Sequence, residues 1–172
     1  MKLRRNSMVE PNQKAPSFTL IDHNRNPGTL DQYINHKNII LSFHILSFTS
    51  GWTHQVSSFR IVNKEFEEND TQVLGVSTNA QATQAAYSAS LGHIPYPILS
   101  DFHPHGEMSK LYGVYDSERG TSYRAIVIIN KQGMVCFKRI YTSMSEFNMD
   151  EIRSEIQNIQ WQQIKLPWIR FT

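Results

Sequence analysis

Apolar positions recur along this chain in two rhythms. In NIILSFH (38–44) and TQVLGVS (71–77) they are close together and include β-branched residues, which predicts strands buried on both faces. SFTLI (17–21) alternates and runs into the turn-rich NRNPGT, which predicts a short strand leading into a hairpin or loop; LDQYI (30–34) suits one helical turn. From Trp52 to about Glu68 the rhythm changes: Val56, Phe59, Val62 and Phe66 recur every three or four residues, placing them on one face of a helix. Ser50 is the N-cap candidate for that helix, since a hydroxyl accepts one of the first unpaired N–H groups. A second helix is expected over AQATQAAYSASLG (80–92), with Asn79 as its cap and Gly92 as a left-handed stop. YPILSD (96–101) reads as a strand, Pro104–Tyr112 as a helix closed by Gly113, and 125–141 as a β-hairpin turning at Gly133. MDEIRSEIQNIQ (149–160) is an amphipathic helix.

The order is therefore strand–helix–strand–helix–strand–helix–hairpin–helix. Buried strands that alternate with helices pair in parallel through right-handed crossovers, and the closing hairpin adds antiparallel strands. This is an α/β architecture, a thioredoxin-like fold with a central mixed sheet flanked by helices. Residues 14–160 form the domain, 1–13 a flexible N-terminal arm, and 161–172 a tail packed on the domain or on a dimer mate. In open sheets of this kind sites lie past the carboxyl ends of the strands, which is where the loop after 38–44 leads.

Composition narrows the function classes. The 172 residues are 40% apolar and 19% charged, enough for one domain with a core. A net charge of +2 gives no case for nucleic acid, and no segment approaches the roughly 20 apolar residues of a membrane span. MKLRRNSMVEPNQK is basic but has no apolar stretch behind it, so it reads as an arm rather than a secretory signal. The single cysteine, Cys136, leaves no internal disulfide, no CxxC zinc site and no dithiol motif, and a cytoplasmic protein is expected.

From about Lys14 to about Ile159 the chain resembles a peroxiredoxin of the alkyl hydroperoxide reductase/thiol-specific antioxidant type. KAPSFTLID is similar to that family's opening strand, and LSDFHPHGEMSKLYGV to the helix segment ahead of its hairpin. SYRAIVIINKQGMV is similar to its arginine-bearing strand and turn. IILSFHILSFTSGWTHQ is similar to its active-site segment, which usually reads F-x-P-L-x-(F/W)-T-x-x-C-T-x-(Q/E). The resemblance places Thr49 on the threonine that helps hold peroxide and thiolate, Gln55 on the usual Glu or Gln, and Arg124 on the arginine beside the nucleophile. It implies that Ile45 stands where a proline shields the site, and Trp52 where the peroxidatic cysteine belongs. His44 is the neighbouring polar residue of the pocket.

The family's reaction is attack of a thiolate on a peroxide O–O bond, giving sulfenic acid and an alcohol or water. A helix N-terminus and a nearby arginine favour the thiolate. An indole offers one N–H donor and no ionisable nucleophile near neutral pH, so the resemblance implies a protein inactive in peroxide reduction as written. The alternative is an active one-Cys or selenocysteine peroxiredoxin whose position 52 is natively Cys or Sec, because the Trp, Cys and selenocysteine codons differ only in their last base. An engineered replacement is a third origin. A large ring forced into a packed thiol pocket costs about 1–3 kcal/mol, and the small Ser47, Ser50 and Gly51 offer room for it. The coincident loss of the proline at Ile45 fits drift after catalysis was lost.

Other readings stay open beside these. Thr49 and Ser50 also serve as simple helix caps, and Arg124 as an ion-pairing surface residue. His103 and His105 form an H-x-H pair without a third ligand nearby in sequence, which points to loop packing rather than metal; no metal or cofactor is expected. Cys136, on the second hairpin strand, is expected to be a small buried hydrophobe. Trp161, Trp168 and Phe171 in the tail mark either a partner patch or packing on the domain. The expected partners are a second copy in a homodimer and, beyond it, an active peroxiredoxin or a thiol reductant. A third function class is a small-molecule binder in which Arg124 and the helix N-terminus hold an anion.

Overall fold

The two apolar runs form the centre of a five-stranded sheet. The computed structural model describes residues 8–49 and 52–165. Its elements are β1 (Thr19–Ile21), β2 (Pro27–Thr29), β3 (Asn38–Phe43), α1 (Trp52–Glu68), β4 (Thr71–Ser77), α2 (Gln81–Ser90) and β5 (Ile98–Ser100). They are followed by α3 (Glu107–Leu111), β6 (Tyr115–Asp116), β7 (Thr121–Ser122), β8 (Arg124–Ile129), β9 (Val135–Tyr141) and α4 (Met149–Lys165). The main sheet has the order β5-β4-β3-β8-β9. Strands β3, β4 and β5 are parallel, and β8 and β9 are antiparallel to their neighbours, as the alternation of strand and helix predicts.

Side chains alternate across the sheet, so each strand feeds two cores. Ile40, Val73, Ile98, Ile126 and Ile128 face α1, α2 and α4, meeting Val56, Phe59, Phe66, Tyr87, Ile152 and Ile156. Leu41, Phe43, Leu74, Val76, Val127 and Ile129 face the other way, meeting Phe18, Met108 and Tyr112. Each such fully buried side chain contributes about 1.5–3 kcal/mol.

Several local expectations are corrected. Helix α3 starts at Glu107, not Pro104, because Gly106 takes the left-handed conformation at φ 67° and residues 102–105 are a turn. Its first N–H groups are met from outside the helix: the Asp101 carboxylate accepts from Met108 N at 3.0 Å and Ser109 N at 2.9 Å. Strand β5 covers three residues of the expected 96–101. The β6–β7 hairpin was not foreseen. Helix α4 runs on to Lys165, past the expected boundary at 160.

The expected arm is shorter than residues 1–13. Val9 is buried, Asn12 N donates to Val135 O at 2.8 Å, and Val135 N donates to Gln13 O at 2.9 Å, so this stretch pairs with the outer edge of β9. Lys138 Nζ fastens it further, at 3.0 Å from Val9 O and 3.2 Å from Glu10 Oε1. Residues 1–7 and the tail residues 166–172, including Trp168 and Phe171, lie outside the described residues; Trp161 is exposed.

Candidate active site

The loop from His44 to Thr49 leaves the carboxyl end of β3 and leads into α1. His44 continues the strand pairing, its N–H donating to Val76 O at 3.0 Å. Because Phe43 pairs with Ala125 in the antiparallel register, Arg124 lies beside His44. His44 is buried, and burial first, then the Arg124 guanidinium, holds its pKa well below the usual histidine range. At this site the ring is therefore a neutral imidazole, and Arg124 supplies the charge.

The loop is anchored by a residue that sequence reasoning assigned elsewhere. Asn79 was expected to cap α2, but Ala80 occupies the N-cap and no side chain caps that helix. Asn79 Oδ1 instead accepts from Ser47 N at 2.8 Å and from Ser77 Oγ at 3.1 Å, tying the loop to the end of β4. Ser77 Oγ also accepts from Gln84 Nε2 at 2.9 Å, and Ser100 Oγ donates to Asn79 O at 2.7 Å. The tether spans 32 residues of sequence, which no local pattern reveals. It holds a strained segment: Phe48 sits at φ 65°, 60% exposed, with its ring edge-on to Tyr87 at 5.1 Å.

The structure brings together some of the predicted residues. Ile45 and Arg124 line one cleft of about 520 Å³, with Asp116, Glu118, Arg119, Tyr123, Ile140, Tyr141 and Thr142 as its other walls. Thr49 is exposed and donates to Leu46 O at 2.8 Å, within its own loop. Gln55 is buried under the loop and donates through Nε2 to Ser42 Oγ on β3 at 2.8 Å. Neither Thr49 nor Gln55 belongs to the described wall of the Arg124 cleft. The backbone of Trp52 opens α1, while its side chain, and Ser50 as its N-cap candidate, lie outside the described residues.

The acidic and aromatic walls of the cleft were not singled out from the sequence. They come from the β6–β7 hairpin and the far end of β9. Asp116 accepts from Glu118 N at 3.0 Å and approaches Arg119 Nε at 3.7 Å, so one carboxylate shapes the loop and holds one guanidinium. Arg119, Arg139 and Arg153 each meet a carboxylate; among the described residues Arg124 has no such ion pair.

Two other candidates fall elsewhere. Cys136 lies near the start of β9, half-buried, with its thiol pushed up chiefly by burial. Arg124 pairs with Tyr141, five residues further along the same strand, about 17 Å away at strand rise. His105 turns Nε2 to the Gly120 carbonyl at 2.7 Å, and its ring meets Phe102 and Tyr115 edge-on.

This arrangement of loop, tether and arginine occurs in a chain with clear relatives. Residues 11–138 match the model of the AhpC/TSA family. Alkyl hydroperoxide reductase E of Mycobacterium tuberculosis is 33% identical over 130 residues, covering 76% of this chain and 84% of that protein. The chloroplastic 2-cysteine peroxiredoxin of Chattonella marina var. antiqua is 32% identical over 164 residues, covering 90% and 83%. The reduced 2-Cys peroxiredoxin of Plasmodium vivax superposes with a TM-score of 0.81 at 25% identity, covering 91% of this chain and 85% of that one. Mycobacterium tuberculosis AhpC has the same fold, with a TM-score of 0.78 at 23% identity, covering 89% and 94%. The chain thus belongs to the AhpC/TSA family of antioxidant proteins, the peroxiredoxins, and carries their thioredoxin-like fold.

Proposed function

We propose that this member of the family does not reduce peroxides as written, because Trp52 takes the place of the nucleophilic cysteine. The observation that carries the reading is the coincidence of Trp52 with the first residue of α1, after the loop from β3, in a chain whose only thiol lies on β9. In peroxide reduction a thiolate lone pair attacks one oxygen, the O–O bond breaks, sulfur becomes a sulfenic acid, and the departing alkoxide takes a proton. An indole has no counterpart to the first step. Arg124 and Thr49 would serve the thiolate and the peroxide in an active relative, with Gln55, Ile45 and His44 shaping the pocket around them. Here Ile45 and Arg124 still line one cleft, while Thr49 bonds within its own loop and Gln55 bonds to Ser42 beneath it.

The retention of Arg124 beside His44 favours a second reading, in which position 52 is natively Cys or Sec and the chain is a working peroxidase. In either case we place the protein in the cytoplasm as a homodimer, with an active peroxiredoxin or a thiol reductant as a further partner. Among the described residues no helix is long and apolar enough to cross a membrane.

The test is hydrogen peroxide consumption with dithiothreitol by the Trp52→Cys variant. Turnover by the variant alone supports a disabled site on an intact scaffold. Equal turnover by the chain with Trp52 overturns the proposal. The coding triplet for position 52 separates a natural tryptophan from a reassigned stop codon.

A further inference from the structure

Strand β5 is one outer edge of the main sheet, and an open edge leaves backbone N–H and C=O groups without partners. Here the β1–β2 hairpin covers it. Asp22 bridges Leu99 in antiparallel pairing, and Gly28 of β2 packs so closely that a Cβ there would meet Leu99 Cδ2 at 2.5 Å. The next contact along the edge is made by a side chain. Ile98 N donates to His23 Nδ1 at 3.2 Å, and both residues are buried. Gln81 of α2 holds the same turn, its Nε2 donating to His23 O at 2.7 Å.

A backbone N–H only donates, so His23 Nδ1 is an acceptor and carries no proton. The neutral ring therefore keeps its proton on Nε2, 3.3 Å from the side-chain amide of Asn24, whose two ends exchange by a half-turn. Protonation makes Nδ1 a donor facing the donor of Ile98, and the buried N–H loses its acceptor. Histidine is the side chain whose ordinary pKa brings such a change between about pH 5 and 8. Among the described residues the groups that act on the charge of this ring are Asp22 in the same turn and His93 in the loop after α2. Burial opposes the charge most, Asp22 favours it, and His93 opposes it. Asp22 Oδ1 is already engaged, accepting from Asn24 N and Asn26 N at 2.8 Å each. Strand β5 and helix α2 bring Ile98, Leu99 and Gln81 to the contact, none of them charged.

We propose that His23 is an acid-released latch: with Nδ1 bare it holds the β1–β2 hairpin on the edge of β5, and with Nδ1 protonated it lets the hairpin lift and uncovers the Ile98 N–H. Because the folded state favours the neutral ring, the latch is complete above about pH 6.5 and is lost as pH falls below it. The opening is local, leaving β3, β4 and β8 paired. The latch is independent of the residue at position 52 and of peroxide chemistry.

The experiment is amide hydrogen exchange followed by NMR on the full chain at about pH 7.5 and about pH 5.0, each rate divided by the intrinsic rate at that pH. Ile128 on β8, inside the sheet, is the reference for global opening. Protection of Ile98 relative to Ile128 should fall at least about fivefold from the higher pH to the lower. His23→Asn keeps an acceptor close to the place of Nδ1 and removes the titration, so the ratio should change less than about twofold. His23→Leu removes the acceptor and should give the low ratio at both pH values. The ring nitrogen shifts of His23 near pH 7.5 should place the proton on Nε2. A ratio that does not move with pH in the unmodified chain, one that moves as much in His23→Asn, or a proton on Nδ1 near pH 7.5 would overturn the proposal.

Discussion

The two ends of the central sheet solve different problems with the same strands. At the amino end of β3 the polar groups close on one another. Asn38 Oδ1 accepts from Lys131 N at 3.1 Å, Asn38 N donates to Asp70 O at 2.8 Å, and Lys131 Nζ pairs with Asp70 at 3.0 Å. At the carboxyl end, Asn79 tethers the loop from outside the strand, a buried histidine lies beside Arg124, and Arg124 is among the residues that line a cleft. Cys136 sits toward the first end, and Arg124 at the second. The only thiol of the chain and the cation that would activate one are therefore separated by most of a strand. One end fastens the sheet, while the other sets an arginine at the rim of an open cleft.

The largest effects should come from cutting the fasteners. Asn79→Ala leaves Ser47 N without its acceptor, and Asn38→Ala does the same to Lys131 N; each should lower stability by about 1–3 kcal/mol, read as a shift in the urea midpoint. The comparison is sharpened if, on the Trp52→Cys background, only the Asn79 variant also lowers peroxide consumption. It breaks if the Asn38 variant does so equally.

Next in size is the response to acid. The folded pKa values of His44 and His23 are both held down, chiefly by burial. Near pH 6.5 the unfolded chain binds protons that the folded one does not, so their contribution to stability is complete above about pH 6.5 and is lost as pH falls below it. Urea midpoints should therefore drop from about pH 8 to about pH 6, and His44→Phe should flatten the slope. An unchanged slope would show that His44 does not carry the effect. The burial-raised Asp101 carboxyl acts in the opposite sense, in the more acid window that begins above its ordinary value of 3.8.

The fastened end predicts a dull thiol. Cys136 is half-buried with a raised pKa, so Ellman's reagent at pH 8 should react with the native chain at least about tenfold more slowly than with the urea-unfolded chain. Equal rates would mean that burial does not protect it. The smallest effect belongs to the Lys131–Asp70 pair, whose exposed carboxylate leaves Lys131→Met costing at most about 1 kcal/mol in the same urea assay.

Much of this was legible in local patterns. The apolar runs of β3 and β4, the one-sided face of α1, and the left-handed glycines 92, 113 and 133 each write their conformation within a few residues. The resemblance carried Arg124 and Ile45 to the same place, and the register of β3 against β8 puts them there. What escaped depends on long-range contact. Asn79 has the composition of a cap, and only the fold shows its carbonyl serving Ser47. Asp101 caps α3 across an intervening turn, so the helix start slips from Pro104 to Glu107. Residues 9–13 lack periodicity, yet they cover the edge of a strand more than 120 residues away.

The central proposal is that no group in this chain turns over peroxide catalytically; slow oxidation of its methionines to sulfoxide is not turnover. Its most direct test is hydrogen peroxide consumption by the unmodified protein with dithiothreitol, read against a Cys136→Ser control, with intact mass recorded after exposure. The account predicts no consumption above the reductant background in either protein, and no oxygen added to Cys136 on the timescale of a peroxidase assay. Catalytic turnover by the unmodified protein, whether or not it survives Cys136→Ser, would contradict it.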